Sequence, residues 1–323
     1  MNLKQTKEAI ECCFISNIPI MLWGHPGTAK SSIINQLAVA QQVLMKDIRL
    51  TYYDSVDLRG CPSITVDSKT TWNPPDDFPY DPDSVGIIFF DELPQADIAT
   101  QKAALQLVLD RKLGNYVLPI GWRIVAAGNP GLDRLTEALA NRFLHVEVTP
   151  SVDEFVSYGL SMGFHSDILS FVRARPQLLS TMPTNEDEYA FPSLRTWEYA
   201  SKLHTDHGDS YIHKELLEGV IGKGATLELI GHINLIAKLP TIDQLIADPY
   251  GYDFNDSPSK IAAICLMVAS GIENTNVDQL MLYVNTIQKE FQVLIITLIN
   301  DTKNSLMGTN SITKWCISNP DIF

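Results

Sequence analysis

The chain has no apolar run approaching the roughly 20 residues that cross a bilayer. Its longest candidate, Val293-Leu294-Ile295-Ile296, is soon interrupted by Thr297 and Asn300. The opening Met1-Asn2-Leu3-Lys4-Gln5-Thr6-Lys7-Glu8 lacks the apolar block of a secretory signal. No membrane association and a cytoplasmic location are therefore expected. Cysteine is sparse: five residues, at positions 12, 13, 61, 265 and 316, form no CxxC pair. This argues against a disulfide framework and reads as reduced thiols in a core. Basic residues are also scarce, with 24 Lys and Arg facing 38 Asp and Glu for a formal net charge of −14. Phosphate contacts need clustered cations, so this balance weighs against an extended nucleic-acid footprint. It leaves room for a local basic pore in an assembly.

What remains is an ordinary globular composition, 45% hydrophobic and 19% charged over 323 residues, enough for two or three domains. Helical spacing is expected over 4–15, a strand over 18–23, a helix to about 43 and a strand over 48–53. Residues 54–85 read as a long irregular segment rich in Asp and Pro, with Trp72, Pro74, Pro75 and Phe78. A loop of that length in a compact domain is usually functional. Gly86-Ile87-Ile88-Phe89-Phe90-Asp91-Glu92 has the continuous apolar character of a buried parallel strand and ends in two carboxylates. A helix is expected at 97–111. A hairpin of 115–119 with 122–127 would feed a central strand, followed by a helix over 135–141 and a strand over 145–148. From Thr149-Pro150 onward strand signals cease. Helices are expected at 152–162, 166–175, 193–204, 212–221, 227–237, 258–270 and 277–300, with a break at 248–251. The last has an apolar face and reads as a core helix.

The chemistry is concentrated in Gly24-His25-Pro26-Gly27-Thr28-Ala29-Lys30-Ser31-Ser32, which follows an apolar strand and opens a helix. Backbone N–H groups of such a turn point inward at an anion, and the helix N-terminus adds positive potential. Lys30 would reach β- and γ-phosphates, and the Ser31 hydroxyl would ligate Mg²⁺. Ala29 stands where the common pattern has glycine. Asp91 would hold Mg²⁺ through water opposite Ser31, and Glu92 would deprotonate the attacking water. Asn129, beyond Gly128 at a strand end, would position that water. Arg142, in Ala138-Leu139-Ala140-Asn141-Arg142-Phe143, suits a γ-phosphate on a neighbouring subunit. Arg195, in Phe191-Pro192-Ser193-Leu194-Arg195-Thr196-Trp197, would reach the nucleotide from a helical region and couple its position to nucleotide state. His204 and His207, three apart with no neighbouring Cys or His, read as solvated helix-end residues rather than a metal site.

Together these residues resemble the AAA+ ATPases, and specifically the MoxR group with its helix-2 insertion, over nearly the whole chain. The resemblance takes residues 24–31 as Walker A, 87–92 as Walker B and Asn129 as sensor 1. It takes Arg142 as the arginine finger and Arg195 as sensor 2. The Ala-Lys-Ser form of the loop is familiar in that group, and residues 54–85 fall where it carries its insertion. The resemblance implies an α/β fold: a P-loop core with a five-stranded parallel sheet flanked by helices, then an all-α lid and a C-terminal helical region. The corresponding domains are 1–150, 151–250 and 251–323. It further implies Mg·ATP hydrolysis, a ring usually of six subunits and chaperone-like remodelling. A von Willebrand factor A-domain protein is often the partner. Two other readings stay open: a nucleic-acid-directed motor or loader, and a slow ATP-switched assembly module.

Overall fold

The run from Gly86 to Phe90 has no polar face, and the chain uses both of its faces. In the computed structural model, which describes residues 1–73, 75–131, 134–183, 188–252 and 258–320, this run lies inside a parallel sheet. Two compact units divide the chain at residues 1–149 and 150–323.

The first unit runs α1 (Leu3–Ser16), β1 (Ile20–Trp23), α2 (Lys30–Gln41), β2 (Leu44–Arg49), α3 (Ser55–Arg59), β3 (Cys61–Ile64) and β4 (Thr70–Asn73). It continues with β5 (Val85–Asp91), α4 (Ile98–Asp110), β6 (Lys112–Leu113), β7 (Tyr116–Val117), β8 (Gly121–Gly128), α5 (Glu137–Ala140) and β9 (Leu144–Glu147). Five strands form the main sheet in the order β2-β5-β8-β1-β9, every pair parallel. The two-residue period of a strand then sorts the core. Ile87, Phe89, Val125, Ala127, Ile20 and Leu22 pack with Ile10 of α1 and Ile33, Ile34 and Leu37 of α2. Ile88, Phe90, Ile124, Ala126 and Met21 pack on the other side with Leu58 of α3 and Ala103, Ala104 and Leu107 of α4. Phe89 and Phe90 are fully buried, and removing either ring costs about 3–5 kcal/mol. This is an α/β core with a five-stranded parallel sheet flanked by helices, as expected.

Several local expectations are corrected. β2 starts at Leu44, earlier than the strand expected over 48–53, because Lys46 and Asp47 are tolerated on an edge strand. A 3-10 turn at Leu50–Tyr52 takes up the rest. The 54–85 segment is not wholly irregular: α3 and the antiparallel pair β3–β4 lie within it. Pro74 of that segment lies outside the described residues. The hairpin is β6–β7, turning at Gly114 with φ +56°, and does not pair 115–119 with 122–127. Pro119 has no N–H to donate to a ladder, and its carbonyl instead accepts from Trp122 N–H at 3.1 Å as β8 begins.

Among its described residues the second unit has helices and no strand: α6 (Val152–Ser161), α7 (Ser166–Ala174), α8 (Leu194–His207), α9 (His213–Ile221), α10 (Lys223–Ile236), α11 (Ile242–Ala247), α12 (Pro258–Gly271), α13 (Val277–Val284), α14 (Lys289–Thr302) and α15 (Asn310–Ile317). Within this unit α12 packs on α7 and α14 on α6. The single helix expected over 277–300 is two, α13 and α14. Asn285 and Thr286 N–H turn back to Met281 and Tyr283, and the Gln292 side chain donates to the freed Ile287 carbonyl at 2.8 Å. Ile287 remains buried across the break, which is why the apolar stripe looks continuous in sequence.

Among the described residues, no helix is long and apolar enough to cross a membrane.

Candidate functional site

Parallel strands place their C-terminal ends along one edge of the sheet, where ligands of open α/β folds bind. Register puts Trp23 opposite Gly128 and Glu147, and Arg49 opposite Asp91, on that edge. The segment 24–32 leaves β1 there. Gly24 N–H donates to Gly128 O at 3.2 Å, tying the loop to the end of β8. Thr28 is buried, and both its N–H and its hydroxyl donate to His25 O. A Cβ on Gly24 would sit 2.7 Å from that hydroxyl, so only glycine fits this fold of the loop.

Gly27 has φ 75° and Ala29 φ 65°, at the N-cap of α2. The left-handed conformation that glycine favours is thus taken by an alanine, at a cost of about 1–2 kcal/mol. The Ala29 departure is therefore one of backbone strain, and the turn itself is kept.

Lys30 opens α2 and is 8% exposed. Its Nζ donates to Gly24 O at 2.6 Å, His25 O at 3.1 Å and Asn129 Oδ1 at 3.2 Å. Ser31 Oγ donates to Asp91 Oδ2 at 3.1 Å across the gap between α2 and β5. Glu92 lies beyond β5 with φ 56°. Its N–H donates to Asp91 Oδ1 at 3.0 Å, and its carboxylate accepts from the Thr51 hydroxyl at 3.2 Å. Burial and the Asp91 charge hold the nearby Asp47 carboxyl above the ordinary carboxylate range, against the pull of Arg49. His25, Pro26 and Ser32 are on the exposed rim of the loop.

The structure thus brings together the loop residues, Asp91, Glu92 and Asn129. It does not bring Arg142 to them. Arg142 precedes β9, whose first residue, Leu144, is opposite Ile20 at the start of β1. It therefore sits at the N-terminal edge of the sheet, about 10 Å or more of strand from the loop. There it lines a cavity of ≈ 250 Å³ with Asn17, Pro19, Arg111 and Arg123. Arg111 and Arg123 spend their donors on the Pro119, Trp122 and Phe14 carbonyls. The exposed Arg142 side chain donates to Asn141 Oδ1 at 3.3 Å. Arg195 is exposed in the first turn of α8, in the second unit.

Sequence reading missed Thr51. Its place just past the edge-strand β2, at the same sheet edge as Asp91, is the signal that would have found it. It also missed Gln101, buried in α4, whose side chain donates to Pro94 O, Ala96 O and Arg134 O and accepts from Thr136 N–H. His207 is exposed as expected, but His204 is not a solvated helix-end residue: it hydrogen-bonds to Asp167 and His213.

No protein-family model matches the sequence, and no curated protein matches it. Among solved structures, NtrX from Brucella abortus in complex with ATP is similar at 14% identity, with 99% of this chain and 67% of that one covered and a TM-score of 0.45. A RuvB mutant from Thermotoga maritima shares 14% identity over 85% of this chain and 83% of that one, with a TM-score of 0.42. A putative ATPase from Cytophaga hutchinsonii shares 15% identity over 98% and 87%, with a TM-score of 0.35.

Proposed function

We propose that this chain is a Mg²⁺-dependent AAA+ ATPase of MoxR type that works as an oligomeric ring, six subunits by the group's habit, to remodel a protein partner or complex. The observation that carries the reading is the convergence of Lys30, Ser31, Asp91, Glu92 and Asn129 at the C-terminal edge of one parallel sheet. Lys30 supplies a buried cation where phosphate charge would enter, and loop N–H groups add to it. Ser31 Oγ and Asp91 Oδ2, 3.1 Å apart and half-buried, are hard oxygen donors and fit a Mg²⁺ ion. When bound, that ion would screen the phosphate charges. Glu92 takes a proton from the attacking water, and Asn129, already on Lys30 Nζ, holds the water in line. Thr51 keeps the Glu92 carboxylate oriented.

Arg142 is remote from its own loop and is exposed, which supports service to the nucleotide of a neighbouring subunit. Arg195 would report nucleotide state to the helical unit. A von Willebrand factor A-domain protein is the partner class that follows from the group. The net charge of −14 favours a protein client over nucleic acid.

The test is turnover and nucleotide binding by Glu92→Gln. Loss of a general base lowers turnover by about 10²–10⁴-fold while ATP binding persists; wild-type hydrolysis by this variant removes Glu92 from its role. Mixing Arg142→Ala with Lys30→Ala subunits restores some activity if sites are shared between chains. Verified mixed rings with no rescue would count against sharing.

A further inference from the structure

The helical unit gathers imidazoles that are scattered in sequence. His165 is the N-cap of α7, Asp167 lies in its first turn, His204 is in the last turn of α8 and His213 begins α9. The donor atoms of His165, Asp167 and His204 all lie within 4.8 Å of one another. His204 Nε2 is 3.0 Å from Asp167 Oδ2, and His165 Nδ1 is 3.6 Å from the same oxygen. Ligands on a tetrahedral zinc ion with bonds near 2.0–2.1 Å stand about 3.3 Å apart, a value these two separations bracket.

We propose that His165, Asp167 and His204 form a binding site for a divalent transition-metal cation of the zinc class. Two imidazoles and one carboxylate are a borderline donor set that suits Zn²⁺, whereas Mg²⁺ and Ca²⁺ take all-oxygen shells. Three protein ligands leave the fourth position to water. The side chains of His204 and Asp167 are 11% and 21% exposed, and that of His165 is 36% exposed, so the cation has an open side from which to enter.

The surroundings supply the outer contacts that metal-bound imidazoles need. His204 Nδ1 is 3.1 Å from His213 Nε2, so with a cation on Nε2 the other nitrogen donates its N–H to His213 and fixes the ring. His165 N–H donates to the Ser201 hydroxyl at 2.7 Å, which anchors the His165 backbone to α8. His165 Nδ1 accepts from Asp167 N–H at 3.2 Å, a hydrogen bond that coordination would replace. The bound cation would join the start of α7 to the end of α8, a contact between elements far apart in sequence. It would therefore stabilise the helical unit by mass action.

The experiment uses the full chain, stripped with a chelator and titrated with Zn²⁺ alone by calorimetry, and with Co²⁺ followed by visible absorption. The expected result is one Zn²⁺ per chain, an intense tetrahedral-type Co²⁺ band displaced by Zn²⁺, and a thermal midpoint raised by Zn²⁺ but not by excess Mg²⁺. His165→Gln and His204→Gln each abolish the Co²⁺ band and lower Zn²⁺ affinity at least about 10-fold. His207→Gln, on the same helix but outside the cluster, keeps both. His165→Gln is the safer variant for folding, because that side chain is the most exposed of the three. Absence of stoichiometric Zn²⁺ binding by the wild-type chain, or a band that survives both His165→Gln and His204→Gln, overturns the proposal.

Discussion

Gly128→Ala is a one-methyl perturbation whose cost follows from the packing at the end of β8. A Cβ at this position would lie 2.4 Å from Pro94 Cγ, 2.6 Å from Pro94 Cδ and 2.8 Å from Met21 Cε. Carbon atoms pack at about 3.5–4.0 Å, so the neighbours must retreat by about 1 Å. The end of the Met21 side chain can turn away. The Pro94 ring cannot: it is buried and follows the Glu92 turn by two residues. Overpacking of this kind costs about 1–3 kcal/mol, and the entropy advantage of alanine over glycine in a strand returns less than about 1 kcal/mol. With a urea dependence of about 3 kcal/mol/M, the upper end of the usual range as suits a chain of this length, the unfolding midpoint of Gly128→Ala falls by a few tenths to about 1 M. Pro94→Ala made in the same chain removes the obstructing ring, so the double variant recovers most of the loss. A single variant as stable as wild type, or strictly additive single effects in the cycle, would refute the packing argument.

Three further outcomes are expected. Ala29→Gly relieves the left-handed strain at φ 65° and raises stability by about 1 kcal/mol, measured as an upward shift of the urea midpoint. Ser193→Ala removes the capping box of α8, in which Ser193 Oγ accepts from Thr196 N–H and Thr196 Oγ1 accepts from Ser193 N–H. It costs about 1 kcal/mol, and an unchanged thermal midpoint would show the cap to be redundant. Burial pushes the Cys265 thiol up to about 12, so at about pH 8 only on the order of 10⁻⁴ of it is thiolate. Under native conditions iodoacetamide therefore labels the exposed Cys12 and Cys61 and spares Cys265, and labelling of Cys265 follows only on unfolding.

Much of the fold could be read directly because its signals are local. The apolar run ending at Asp91-Glu92 and the loop opening α2 each announce a strand end, and the observed parallel sheet follows from them. Errors arose where tertiary context decides. β2 carries Lys46 and Asp47 and does not look like a strand until its edge position is known. The stripe through Ile287 reads as one helix because burial continues across the bend, while the hydrogen bond that permits the bend comes from Gln292, five residues later. The site shows the same division. That Lys30, Ser31, Asp91 and Asn129 lie together follows from spacing and strand ends, which are sequence properties. The partnership of His204 with Asp167, 37 residues earlier, does not, since helix packing creates it.

Neighbouring carboxylates at 91 and 92 pose a geometric problem that the fold has to solve. On a continuing strand they would point to opposite faces of the sheet, one toward α2 and one toward α4. The left-handed backbone at Glu92 ends the strand instead. Asp91 can then face Ser31 with one oxygen and take Glu92 N–H with the other, while Glu92 reaches Thr51. That conformation costs about 1–2 kcal/mol for an L-residue, so the chain beyond it must hold the turn in place. Leu93 is fully buried, and Gln101, 2% exposed, donates to the carbonyls of Pro94 and Ala96. The same amide donates to Arg134 O, and its oxygen accepts from Thr136 N–H, so no polar group of Gln101 is left unsatisfied. A buried amide with this set of bonds has little freedom, because any shift leaves a desolvated N–H or C=O without a partner at about 1–3 kcal/mol each. One side chain on α4 thus secures both the turn that separates the two carboxylates and the segment that leads into α5 toward Arg142. The divergence of Asp91 and Glu92 is therefore a property of the packed core beneath the site as much as of the two residues themselves.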